Sequence, residues 1–152
     1  MLQRKQTLFI LVAFVLSVLL FTGPISIITI EGGEIYFKHS GAVTRSGEDL
    51  NVSTVPLTIY IAIVATLTFF SIFSYKNRVR QMRILLFLMI FSAGMVGLIF
   101  YYIKYIQIKF DGLQNIFQWR IIIPPIMLIL LYLAFKGVQK DELMVKAYDR
   151  IR

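Results

Sequence analysis

Polar residues punctuate this chain at wide intervals, and four of the apolar runs between them are long enough to cross a lipid bilayer as helices. They span approximately Thr7–Gly23, Ser53–Tyr75, Ile84–Ile103 and Ile116–Phe135. At about 1.5 Å per residue, a hydrocarbon core about 30 Å thick takes about 20 helical residues. Arg4 and Lys5 precede the first run as they would in a signal peptide, but "FTGPIS" offers no small-x-small cleavage pattern, so the run reads as a true span. Gly23-Pro24 stops it, because a residue before proline resists the helical region and proline lacks the amide donor.

Between the first two runs the period changes from helical to alternating. "IITIEGGEIYF" predicts a β-hairpin turning at Gly32-Gly33, with Glu31 opposite Glu34, Ile30 opposite Ile35, Thr29 opposite Tyr36 and Ile28 opposite Phe37. Its apolar face of Ile28, Ile30, Ile35 and Phe37 needs cover, which the outer end of the helices can supply. "YIQIKF", with Ile106 and Ile108 between polar neighbours, is the predicted additional strand. Pro124-Pro125 should bend or restart the fourth helix. Gly137 can end that helix and Asp141 can cap a short amphipathic one, whose apolar stripe is Met144, Ala147, Tyr148 and Ile151. The expected fold class is therefore an all-α membrane protein. One integral domain over residues 1–152 forms a four-helix transmembrane bundle with a small extracytoplasmic sheet, outer loops 24–52 and 104–115, an inner loop 76–83 and a tail 136–152. This layout is similar to the claudin-like architecture, a likeness of arrangement that carries no function with it.

Composition agrees with a membrane class: 58% of the 152 residues are hydrophobic and the mean hydropathy is +0.76. The formal charge of +8 admits a nucleic-acid binder until its placement is considered. Eleven cations and three acids fall on the side of the termini and the 76–83 loop, against five of each on the other side. The entire excess thus lies on one face, which the positive-inside rule makes cytoplasmic, with both termini inside. Lys76, Arg78, Arg80 and Arg83 fit the anionic inner leaflet, and no nucleic-acid partner is expected.

Little reactive chemistry accompanies this topology. The chain has no cysteine, which removes disulfides, thiolate metal sites and dithiol redox work. Arg120 is the one ionisable residue within a span, and beside Trp119 near the outer end it reads as an interface anchor. Without Asp, Glu or His in a span, a proton relay has nothing to run on. Thr58, Thr66, Thr68, Ser71 and Ser74, with Ser92, Ala93, Gly94 and Gly97, read as small-residue packing seams. Glu31, Glu34, His39, Glu48 and Asp49 form the outer polar cluster, but their spacing matches no ligand motif. No catalytic residue, cofactor or metal is expected.

The two ends, "MLQRKQTLFILVA" and "QKDELMVKAYDRIR", resemble a bacterial membrane family known as domain of unknown function 4293, largely of the Bacteroidota. Lys5 stands where that family carries an apolar residue. The resemblance implies four transmembrane helices and an inner-membrane location, and brings no activity or site residues. The resulting expectation is a non-enzymatic accessory or scaffold subunit whose partners are the lipid bilayer and a membrane protein or second copy of itself. A small-molecule or lipid carrier with a cavity beside Pro124-Pro125 is the alternative, and an outer-face metal binder or hydrolase the third.

Overall fold

The structure, a computed structural model, describes residues 5–31 and 33–149, the side chains of Lys5, Lys76 and residues 146–149 excepted. It is mostly helical with one small antiparallel sheet. In chain order the elements are α1 (Lys5–Leu19), β1 (Ser26–Ile30), β2 (Gly33–Lys38), β3 (Gly41–Thr44), α2 (Val55–Phe73), α3 (Arg78–Lys109), β4 (Gln114–Phe117) and α4 (Ile123–Asp149). Short 3-10 turns at Leu20–Thr22, Ser74–Lys76 and Trp119–Ile122 bridge helix ends. Each helix packs on its neighbour in sequence, and α1 closes the ring against α4. Three helical stretches are long and apolar enough to cross a membrane: Val55–Phe73, Arg78–Lys109 and Trp119–Val145. The stretch Gln6–Thr22 is apolar but shorter.

Inside the ring the buried side chains are mostly apolar, among them Ile10, Ala13, Ile61, Val64, Leu85, Leu88, Met95, Met127, Leu131 and Ala134. Outside, Leu8, Leu11, Ile59, Phe70, Phe87, Ile90, Ile129 and Leu133 are exposed. A surface this apolar on every helix is the inverse of a soluble bundle, where the outward stripe is polar. Several polar side chains within the helices find carbonyl partners: the Thr68 hydroxyl donates to the Val64 carbonyl at 2.7 Å, and Ser92 donates across helices to the Pro124 carbonyl at 2.8 Å, whereas the buried Ser71 hydroxyl has none. The proposed seams are used unevenly. Gly94 lies so close to Tyr60 that a Cβ there would meet the Tyr60 hydroxyl at 2.5 Å, whereas Thr66, Ala93 and Gly97 are exposed.

The sheet order is β3-β2-β1-β4. Ile28, Ile35, Phe37 and Ala42 are buried in the same core as the helices, and Phe37 stacks on Tyr102 at 6.2 Å, so the apolar face is covered by the helix ends as expected. The register differs from the expected one. Ile28 pairs with Ile35, Thr29 with Glu34 and Ile30 with Gly33, so the strands join across residues 31–32 rather than at Gly32-Gly33, and Glu34 faces Thr29 rather than Glu31. The slip is two residues, which leaves every side chain on its predicted face. The additional strand is "QNIF", Gln114–Phe117, paired antiparallel with β1. "YIQIKF" instead lies mostly in the last turns of α3, with Tyr102, Ile103 and Ile106 buried at helical spacing.

Pro124 and Pro125 occupy the first turn of the fourth helix, where a missing amide donor costs no helical hydrogen bond, so of the two expected outcomes they restart the helix after the 3-10 turn and do not kink it. Neither does Gly137 end it: α4 continues through Asp141 to Asp149, with no separate tail helix among the described residues. A Cβ on residue 137 would meet Gln6 Cγ at 2.5 Å, so glycine here lets α4 pass close to the Gln6 side chain of α1.

Candidate functional site

Polar side chains gather at the two ends of the helix ring. At the end bearing the chain termini, Gln6 Nε2 donates to Asp141 Oδ2 at 2.9 Å, and Arg78 Nη1 donates to the Asp141 carbonyl at 3.3 Å. One residue of α4 is thus tied to the starts of α1 and α3. Gln81 donates to the Ser71 carbonyl at 3.2 Å, closing the α2–α3 connection beneath them. Asn77 caps α3 by accepting from the Arg80 amide at 3.3 Å. Arg78, Arg80 and Arg83 then occupy the first two turns of α3, with no acidic residue in the first turn. Cations at a helix N-terminus oppose the macrodipole, so local helix stability does not explain them.

Beyond that tie, Leu143, Met144 and Val145 are 61%, 47% and 40% exposed. At about 100° per residue these three exposed positions cover about 200° of the helix, so most of the circumference of α4 is uncovered here, while Asp141 and Glu142 just before them are partly buried. Of the predicted contact stripe, Met144 is described and exposed; the Ala147 and Tyr148 side chains and Ile151 lie outside the described residues, as does the Lys76 side chain.

At the sheet end, Trp119 and Arg120 sit in the 3-10 turn that leads into α4. Trp119 is 53% exposed, as an interface anchor requires. The half-buried Arg120 does not reach away into solvent. Its guanidinium lies under the Trp119 ring at 4.7 Å and against Gly23, where a Cβ would come within 2.8 Å of Cζ. Nη1 donates to the Pro24 carbonyl and Nη2 to Thr22 Oγ1, each at a long 3.4 Å, while the buried Nε has no partner. The charge therefore rests at the C-terminal end of the first helix, whose carbonyls favour a cation.

The outer acidic residues do not converge. Glu34 accepts from the Tyr36 hydroxyl at 2.9 Å and faces Arg45 at 3.9 Å; the hydrogen bond to Glu34 raises the Tyr36 pKa. His39 is drawn the other way, towards the core. Its ring meets Phe21 edge-on at 5.0 Å, its Nδ1 is buried without a partner, and its carbonyl accepts the Thr54 and Thr58 hydroxyls at 2.7 and 2.6 Å. Desolvation, with Lys38 adjacent, lowers its pKa. No group of three His, Asp or Glu among the described residues is placed to hold a metal ion. Sequence reasoning missed the Gln6–Asp141–Arg78 tie, since its partners are remote in the chain and no motif marks them.

No curated protein matches the chain significantly. The model of the family DUF4293, described as a domain of unknown function, matches residues 2–151, nearly the whole chain, which therefore belongs to that family.

Proposed function

We propose that this protein is a non-enzymatic, four-pass scaffold or accessory subunit of a bacterial inner-membrane complex, with both termini in the cytoplasm and a partner bound at the projecting end of α4. The spacing of polar residues supports four spans. From Arg83 to Lys104 on α3 is about 31 Å, and from Trp119 to Lys136 through the 3-10 turn and α4 is about 28 Å, close to a hydrocarbon core of about 30 Å. Lys136 Nζ lies over the Tyr132 ring at 5.4 Å, as a snorkelling lysine does at the inner boundary. Gln6–Thr22, at about 26 Å including its 3-10 turn, approaches the length needed to cross beside α2 and α4. Arg78, Arg80 and Arg83, placed against the dipole of α3, favour the cytoplasmic side for that end.

The observation that carries the scaffold reading is the continuation of α4 past its tie at Asp141, with Leu143, Met144 and Val145 uncovered. The buried apolar side chains that occupy the ring interior offer little to hold a polar cargo, which favours this role over a carrier. Topology is tested by impermeant maleimide on spheroplasts: Ser40→Cys should label and Lys140→Cys should not, and the reverse pattern overturns the orientation. A photo-crosslinker at Met144 should trap one defined partner or a second copy in native membranes, and Leu143→Gln should abolish that adduct. Adducts with lipid alone would overturn the scaffold role.

A further inference from the structure

We propose that Arg120, held between Trp119 and Gly23, binds the phosphodiester of an outer-leaflet phospholipid whose acyl chains run along Trp119 and Ile122. This rests on the reading of the chain as a membrane-spanning protein. Three observations lead to it. The guanidinium is fixed in place on both faces, by the indole at 4.7 Å and by the glycine that leaves room for it. Its hydrogen bonding is underused: two bonds of 3.4 Å, to Pro24 and Thr22, leave most of its N–H donors unfilled, and it forms no ion pair among the described residues. Beside it Trp119 and Ile122 are 53% and 54% exposed, an apolar flank at the level where headgroups begin. A planar fork with spare donors next to apolar surface matches an anion carrying hydrocarbon tails, and arginine pairs with phosphate through two parallel bonds.

The structural alternative is that Arg120 only closes the C-terminal end of the first helix. Native mass spectrometry of delipidated full-length protein separates the two, with phosphatidylglycerol as the probe and diacylglycerol as its phosphate-free control. Arg120→Gln should bind phosphatidylglycerol about tenfold more weakly and diacylglycerol as the wild type does. Gly23→Ala should weaken phosphatidylglycerol in the same direction. It keeps every charge and displaces only the flexible guanidinium, so it should fold. Equal retention by wild type and Arg120→Gln would overturn the proposal, as would parallel loss of both lipids. Displacement of phosphatidylglycerol by millimolar inorganic phosphate would identify a free anion as occupant and overturn the lipid assignment. Failure of the membrane topology itself registers separately, in the maleimide labelling.

Discussion

Replacing Gly137 by alanine sets two effects of similar size against each other, and the structure says which prevails. Within an exposed stretch of helix, glycine to alanine stabilises by about 0.8–1 kcal/mol through backbone entropy. Here the new Cβ would meet Gln6 Cγ at 2.5 Å and Nε2 at 3.2 Å, so the Gln6 side chain must swing away and release Asp141. A hydrogen bond to a charged group is worth about 1.5–3 kcal/mol, and because this one is only partly buried about 1.5 is the fair figure. Gly137→Ala alone should therefore lower stability by about 0.5–0.7 kcal/mol. In a Gln6→Ala background nothing obstructs the methyl group, and the same substitution should stabilise by about 0.8–1 kcal/mol. The coupling between the two sites, about 1.5 kcal/mol, is the quantity to measure, by denaturant unfolding of the four proteins in one detergent. Equal stabilisation by Gly137→Ala in both backgrounds would refute the assigned contact between α1 and α4.

Two further predictions use the same kind of reasoning. Gly94→Ala should be close to neutral, because displacing the Tyr60 hydroxyl from the Phe91 carbonyl, a bond of 3.0 Å, costs about 1 kcal/mol and offsets a helix gain of similar size; in Tyr60→Phe, where the oxygen is gone, the same substitution should stabilise by about 0.8–1 kcal/mol, and an equal effect in both backgrounds would point to another clash. His39 has a folded-state pKa below its unfolded value, so the unfolded chain binds the proton more readily; stability should be level above about pH 6.5 and fall as pH drops below it. Thermal melts of His39→Gln should lack that acid slope, and an unchanged slope would assign it elsewhere.

How much of this was legible in the sequence depended on how far apart the interacting residues lie. Helix existence, the covered face of the hairpin and the sided distribution of charge follow from local patterns, and all three need only neighbours in the chain. The hairpin register did not, because a two-residue slip preserves every side-chain face, and only contacts with β3, β4 and the helix ends choose between the alternatives. "YIQIKF" alternates over too short a run to separate strand from helix; Tyr102 and Ile106, four apart and both buried, carried the decisive period. Gly137 looked like a stop because glycine usually ends helices, whereas here it answers to Gln6, on a different helix. That Trp119 and Arg120 adjoin is plain in the sequence, but nothing there marks the cradle at Gly23.

The closure of α1 on α4 also bears on how the protein is made. The bond between Gln6 and Asp141 joins residues 135 apart in sequence, so the first helix waits for the last before its final neighbour exists. At about 5–20 residues per second, synthesis separates the two helices by on the order of ten seconds. During that interval α1, the shortest of the four helices as described, has first the strands β1–β3 and then α2 beside it. The Gly23-Pro24 break and β1 lie directly after it, and β1 can pair with β2 as soon as both emerge. The hairpin is thus the earliest brace available to α1, and the terminus-end tie is the last joint to set.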